Sequence, residues 1–122
     1  MIFSRTRLKV ADNSGAKDIA MICVLGHKKG GAARLGDILS ASVKVADPHG
    51  NIKKKAVVRA LVVRQKKSWN RPDGTVIRFD DNAVVIVDKE GNLRGTRVFG
   101  PIAKEIKEKG WEKIASLAKE MW

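Results

Sequence analysis

Short apolar runs of strand length, separated by turn signals, follow one another through the first hundred residues and constrain the fold more than any other feature. β-Branched residues dominate runs such as AVVRALVV (56–63) and NAVVIVD (82–88), and these residues favour strands. The intervening turns, such as DNSGA (12–16) and RPDG (71–74), carry residues that accept positive φ or bond their own backbone. Closely spaced short strands without alternating helices predict a small closed barrel or sandwich rather than a parallel sheet.

The C-terminal twenty residues have a different pattern. Proline follows Gly100, and proline suits the first turn of a helix. Apolar residues then recur at helical spacing on either side of Gly110. These features predict two short helices, near 102–109 and 111–119. The length of 122 residues predicts a single domain, with the barrel over about 1–99 and the short helices over about 102–119.

Positive charge is concentrated in the first three-fifths of the chain. The net charge is +12. Residues 1–72 carry 16 basic and four acidic side chains, whereas residues 73–122 carry nine of each. Self-repulsion of this size destabilises a compact monomer unless a polyanion neutralises it, so the distribution favours a nucleic-acid partner. A membrane surface is disfavoured because the cations fall on strands and turns, not on an amphipathic helix.

The segment 44–71 is the densest basic region, with nine cations and a single acid, Asp47. The cations lie at both ends of a predicted strand, and a strand of ten residues spans roughly 33 Å. They are therefore predicted to reach phosphates on separate segments of folded RNA. Lysines that protect a sheet edge are the structural alternative, but that role accounts poorly for nine cations in 28 residues. The nine are Lys44, Lys53, Lys54, Lys55, Arg59, Arg64, Lys66, Lys67 and Arg71.

Trp69 lies between Lys67 and Arg71 in the predicted hairpin. Such a tryptophan either stacks on a base or folds back onto the barrel, and the sequence favours neither interpretation. The chain has three Trp, three Phe and no Tyr, so the predicted strands lack the aromatic platform of a single-strand binder. Composition therefore favours recognition of phosphates and shape over base stacking.

A Gly-rich basic loop, GHKKGGAARLG (26–36), follows the second predicted strand. Its backbone amides, with Lys28, Lys29 and Arg34, are suited to cradling a phosphate. A flexible solvated loop is the alternative. It is not a nucleotide-binding P-loop, because no G-K-[ST] sequence follows.

The sequence contains no complete motif for catalysis or metal binding. Cys23, His27 and His49 fall short of a zinc site, and a Cys–His pair lacks an orienting third group. Cys23 alternates within an apolar run and is predicted to be a buried small hydrophobe. A nuclease metal site at Asp80, Asp81 and Asp88 is less favoured, because Asp80 and Asp81 fit a turn between strands and Asp88 fits the end of one. We therefore predict a non-enzymatic protein without metal or cofactor.

Four motifs are spread over the chain: VADNSGA (10–16), the signature region ALVV (60–63) with Asp73, Gly74, Phe79, Asn82, Val85 and Ile86, RPDGTVIRFD (71–80), and GTRVFGP (95–101). They resemble the family of universal large-subunit ribosomal protein fourteen. Together they are highly specific, and the resemblance covers the whole chain without large insertions. Lys119, where much of the family has Pro, and Asn70, where a second Arg is common, depart from the pattern.

The resemblance implies a mainly β fold: a small five-stranded β-barrel with a projecting β-hairpin arm, about 59–80, and two short C-terminal helices. It implies a structural constituent of the large ribosomal subunit that binds large-subunit rRNA beside neighbouring large-subunit ribosomal proteins. It also implies an intersubunit bridge, with small-subunit rRNA across the interface, and docking of a ribosome-silencing factor. Length and ending resemble the bacterial type, which predicts a cytoplasmic ribosome, with a mitochondrial or plastid ribosome as the alternative.

A rival hypothesis, from another functional class of protein, is a free-standing OB-like single-strand binder or RNA chaperone.

Charge and motif match together predict two sets of site residues. The face predicted for the small subunit and the silencing factor comprises Thr96, Arg97, Lys113 and Ser116. The predicted rRNA-binding residues are Asn13, Ser14, Lys17, Lys28, Lys29, Arg34, Lys44, Lys53, Lys54, Lys55, Arg59, Arg64, Lys66, Lys67, Trp69, Arg71 and Arg78.

Overall fold

The computed structural model describes residues 2, 6–25, 33–50, 52–118 and 121. Within them, seven strands are followed by two helices. The strands are β1 (Arg7–Val10), β2 (Ala16–Val24), β3 (Ile38–Ala46), β4 (Val57–Arg64), β5 (Trp69–Asn70), β6 (Val76–Ile77) and β7 (Ala83–Val87). The helices are α1 (Lys104–Glu108) and α2 (Glu112–Leu117).

Five of these strands close into a barrel in the order β1-β2-β3-β4-β7. All neighbouring pairs are antiparallel except β1 and β7, which run parallel with Lys9 opposite Ala83. Alternation of side chains along each strand sends one set inward, and residues such as Ile19, Val43 and Val84 are fully buried. The structure thus confirms the five-stranded barrel and decides against a sandwich.

The β2 strand departs from regular alternation. Its pairing with β3 shifts register between Met21 and Cys23, and a bulge of this kind re-aims the side chains that follow it. Ile22 is exposed and Cys23 is only partly buried. The prediction of a buried Cys23 was therefore wrong, because it assumed an unbroken period of two.

A second, two-stranded sheet lies outside the barrel. It pairs β5 with β6, with Trp69 opposite Ile77. The predicted arm of 59–80 began too early, because residues 59–64 belong to β4 and pair with β7. The apolar run of β4 is buried over Ala60–Val63, which keeps it in the barrel. The excursion from the barrel therefore runs from 65 to 82.

The C-terminal helices cover one side of the barrel. Ile102, Ile106 and Ile114 are buried in the same apolar cluster as the barrel interior. The backbone N–H of Ala103 donates to the carbonyl of Val63 on β4, at 3.2 Å. The two helices confirm the prediction, although each is shorter than expected. No described helix is long and apolar enough to cross a bilayer.

The apolar run at 96–99 does not form a strand, only an isolated bridge between Val98 and Asp12. The N–H of Phe99 donates to the carbonyl of Ala11 at 2.6 Å. The segment is instead held by side chains of the 12–15 turn, which are described next.

Candidate nucleic-acid interface

Asp12 is buried and holds the first turn to β7. Its Oδ1 accepts hydrogen bonds from the N–H of Ser14 at 3.1 Å and the Ser14 hydroxyl at 2.6 Å. Its Oδ2 accepts from the N–H of Ile86 at 2.7 Å. Burial raises the pKa of Asp12, and these hydrogen bonds oppose the rise. Asp12, the acid of the 10–16 motif, therefore holds its own turn in place against β7.

Asn13 clamps a distant loop. Its Oδ1 accepts from the N–H groups of Thr96 at 2.6 Å and Arg97 at 2.9 Å. Its Nδ2 donates to the Thr96 hydroxyl at 2.7 Å. A Cβ at Gly95 would lie only 2.7 Å from Asn13 Oδ1, so glycine is needed for the approach. The motifs at 10–16 and 95–101 therefore form one structural unit that presents exposed Thr96 and Arg97.

This unit changes the interpretation of two predicted rRNA contacts. Ser14 is buried, with its hydroxyl bonded to Asp12, and the amide of exposed Asn13 is engaged with the 96–97 backbone. Sequence analysis assigned both to RNA by motif match, and that assignment stays a prediction. The sequence signal for the contact with Asn13 was Gly95, because glycine permits a close backbone approach.

Asp73 provides an exposed copy of the Asp12 turn. Its Oδ1 accepts from the N–H of Thr75 at 3.0 Å and the Thr75 hydroxyl at 2.6 Å. These bonds lower the pKa of Asp73, whereas burial raises that of Asp12, both from 3.8. We expect a carboxyl NMR titration to show Asp12 titrating above that value and Asp73 below it.

The two pKa shifts make the free energy of unfolding depend on pH in opposite directions. The term from Asp12 is greatest below pH 3.8 and is lost as the pH rises through its raised folded-state pKa, because the unfolded chain releases that proton first. The term from Asp73 is present above pH 3.8 and is lost as the pH falls through its lowered pKa. Urea unfolding across this range should show wild type losing stability relative to Asp12→Asn as the pH rises. The opposite trend would contradict a raised Asp12 pKa.

Trp69 folds back onto the barrel core and is only partly exposed. Its ring stacks on Phe79 with centroids 5.8 Å apart, and the Arg71 guanidinium carbon lies 5.8 Å from the ring centroid. The structure thus favours the second of the two interpretations that the sequence left open. Trp69 anchors the hairpin through intramolecular contacts, an arrangement that provides no exposed base-stacking platform.

Two of the four arginines in the predicted arm, Arg64 and Arg71, form ion pairs inside the protein. Arg71 Nε lies 2.7 Å from Glu105 Oε1 on α1. Arg64 Nε lies 3.2 Å from Asp81 Oδ1. The Arg64 guanidinium also packs against Gly100, and a Cβ on residue 100 would collide with it. Their side chains are only 13 to 15% exposed. These arginines brace the hairpin against the helix and the loop before it.

Lys66 and Lys67 have fixed backbones and exposed side chains. The Lys66 N–H donates to Asn82 Oδ1 at 2.7 Å. The Lys67 carbonyl accepts from Nε2 of buried Gln65 at 2.9 Å, and Gln65 Oε1 also accepts from the N–H of Leu35 at 3.3 Å. The base of the hairpin therefore presents two ammonium groups to solvent from an ordered position.

The turn before β4 presents three exposed lysines, 53–55. The Lys55 N–H donates to the carbonyl of Val43 at 2.8 Å, which fixes the turn against β3. Lys55 has φ of +71° and is alone among the described non-glycine residues in having positive φ. This conformation is unfavourable for a side chain with a Cβ, yet a lysine occupies it.

The whole chain, residues 1–122, matches the family model described as ribosomal protein L14p/L23e. The chain belongs to the L14p/L23e family. Membership implies a structural protein of the large ribosomal subunit, in a non-enzymatic family located in the ribosome, that binds rRNA and other ribosomal proteins. In the described part of this L14p/L23e chain, no group of three His, Cys, Asp or Glu is positioned to hold a metal ion.

The other predicted site residues of the L14p/L23e chain fall at several places. Lys17 and Lys44 are exposed on the adjacent strands β2 and β3. Lys113 and Ser116 are exposed on α2, where the Ser116 hydroxyl donates to the Lys113 carbonyl at 2.7 Å. Lys28 and Lys29 lie outside the described residues. Arg34, Arg59 and Arg78 are exposed.

Replacing Lys55 by glycine is expected to stabilise this L14p/L23e protein while weakening its RNA binding. Relief of the positive-φ cost, about 1–2 kcal/mol, exceeds the roughly 0.5–1 kcal/mol that glycine loses in chain entropy. Lys54→Gly is the matched control, because it removes the same charge from a residue without positive φ. Urea unfolding should separate the two variants. Equal destabilisation by both would contradict a strained Lys55.

Proposed function

We propose that the protein binds large-subunit rRNA mainly by neutralising phosphates, through exposed cations on the barrel and at the base of the hairpin. The observation that carries this proposal is the exposure of Lys66 and Lys67 on a backbone fixed by Asn82 and Gln65. The backbone that carries these cations is already fixed and loses little freedom when they meet a phosphate, and the released counterions favour binding.

The charge balance supports this mechanism. Among the described residues, two ion pairs join charged side chains, Arg64 with Asp81 and Arg71 with Glu105. The net charge of the chain is +12, so its cations outnumber the acids that could compensate them. An RNA surface supplies that compensation, and it keeps the assembled protein from self-repulsion.

The face carrying Thr96, Arg97, Lys113 and Ser116 is proposed to meet the small subunit, including its rRNA, and a ribosome-silencing factor. Support comes from the Asn13 clamp, which holds the 96–97 backbone in place, and from the exposure of all four residues. In this proposal the protein helps to form an intersubunit bridge. It acts as a single domain in a bacterial-type cytoplasmic ribosome, with an organellar ribosome as the alternative.

Sucrose-gradient fractionation of a lysate containing the tagged protein tests the proposal. We expect co-sedimentation with the large subunit that survives a high-salt wash. Recovery in soluble or small ribonucleoprotein fractions, together with binding to unrelated single strands, would overturn it and favour a single-strand binder or RNA chaperone. Variants substituted at Thr96 and Arg97, or at Lys113 and Ser116, test the bridge role. A smaller fraction of joined ribosomes and a larger fraction of free subunits in these variants would support it.

A further inference from the structure

We infer that the outer face of the barrel contains a second phosphodiester-binding groove, formed by Arg59, Lys89 and Arg94. The inference rests on the proposed rRNA binding and assigns a surface to it. The ligand is the sugar-phosphate backbone of an RNA segment separate from the one at the hairpin. Of the three residues, only Arg59 was predicted from the sequence to contact RNA.

The strand register brings the three cations together. Arg59 on β4 lies opposite Val87 on β7, and Val87 forms a bridge with Leu93 on its other side. The N–H of Arg94 donates to the carbonyl of Ile86 at 3.0 Å. Neighbouring strands are about 4.8 Å apart, so Arg59 and Arg94 flank β7 on either side. Lys89 lies two residues beyond the end of β7 and lines the same groove.

The cations of this groove are available to a ligand. Arg59, Lys89 and Arg94 are exposed, and within the described residues none of them forms an ion pair. Asp88 also lines the groove, but its Oδ1 accepts from the N–H groups of Glu90 and Asn92, both at 2.9 Å. Asp88, the one acid among the described residues that line the groove, is therefore bonded to its own turn, and the groove keeps an excess of positive charge.

The remainder of the lining suits a nucleic-acid backbone. Ser40 lies opposite Arg59 on β3 and adds a hydroxyl, while Val57 and Val58 provide an apolar floor. Guanidinium groups bind phosphate oxygens in a bidentate manner, and lysine binds them as a point charge. The combination resembles a phosphate cradle more than a base-stacking site, since none of the described residues that line it is aromatic.

Continuity with the lysine turn argues for a polymer rather than a single anion. Lys55 precedes Arg59 by four residues, a distance of roughly 13 Å along an extended strand. Duplex nucleic acid carries one charge per about 1.7 Å of axis, so a stripe from the turn to the groove faces several phosphates. The hairpin leaves the opposite end of β4. The two basic surfaces thus lie at different ends of one strand and are suited to separate RNA segments.

Sequence composition concealed this groove. Lys89 and Arg94 lie in the part of the chain with equal numbers of acids and bases, which suggested a neutral surface. Asp88 is bonded within its own turn, and the 93–94 segment pairs with β7. These two features give the groove a local charge that differs from the neutral average of residues 73–122. Neither feature is readable from charge counts.

Salt-dependent binding of the full chain to large-subunit rRNA tests the groove. For Lys89→Gln combined with Arg94→Gln, we expect the slope of log K on log salt to fall by about 1.8, because each lost duplex phosphate contact contributes about 0.9. Arg94→Lys keeps the charge and should leave the slope almost unchanged. The matched control is Lys104→Gln with Lys107→Gln, which removes two exposed cations from α1 and should also leave it unchanged.

The outcomes separate this inference from the proposed function. A wild-type slope in the groove variant, with wild-type binding intact, overturns the groove and leaves the proposed function standing. An equal fall in the α1 control would show a general charge effect and would also overturn the groove. Normal rRNA binding with impaired incorporation into subunits would indicate an acidic protein partner instead. Absence of salt-dependent rRNA binding by wild type would remove the proposed function itself.

Discussion

Replacing Asp12 by alanine is expected to lower the free energy of unfolding by about 3 kcal/mol, because buried N–H donors would lose their acceptor. The carboxylate accepts from the N–H groups of Ser14 and Ile86 and from the Ser14 hydroxyl. Asp12 is only 5% exposed and Ile86 is fully buried, so water replaces these bonds poorly. Urea unfolding monitored by far-UV circular dichroism measures the loss.

Asp73→Ala is the control that makes this result specific. The local hydrogen bonds of Asp73 to Thr75 match those of Asp12 to Ser14 in pattern and length. Asp73 is exposed, so solvent should replace its bonds and the loss of stability should be much smaller. Similar losses in the two variants would mean that the turn alone matters. The link from Asp12 to β7 would then contribute nothing.

Replacing Lys66 and Lys67 together by glutamine should lower the slope of log K on log salt for rRNA by about 1.8. Two phosphate contacts would be lost, while the backbone bonds to Asn82 and Gln65 remain. If the binding curves converge near 1 M salt, this slope corresponds to roughly 60-fold weaker binding at 0.1 M. Fluorescence anisotropy across a salt series measures both quantities. An unchanged slope would contradict the role of the hairpin base.

Arg71 provides the internal comparison for this result. Charge alone grouped Arg71 with the two lysines, but the structure pairs it with Glu105. Adding Arg71→Gln to the double variant should therefore lower the thermal midpoint and change the slope little. A further fall of about 0.9 would show that Arg71 leaves Glu105 to bind a phosphate.

The strands and helices were predictable because their signals are local. Apolar periodicity, Pro101 and Gly110 located the helices, and β-branched runs located the barrel strands. The site was less predictable because its side chains act over long sequence separations. Asn13 bonds a residue 83 positions away, and Arg71 bonds one 34 positions away. No local sequence pattern distinguishes a polar residue that hydrogen-bonds to a distant loop from one that is available to bind RNA.

The parallel pairing of the first and last barrel strands has a consequence for synthesis. Lys9 meets Ala83, so a nascent chain cannot close its barrel until most of its length has been made. Until then, two strand edges remain open to pairing with other chains. The segment up to Ala83 carries 17 of the 25 basic residues against seven acids. Mutual repulsion should keep such incomplete chains apart, so the charge that suits an RNA partner also protects the protein before that partner is met.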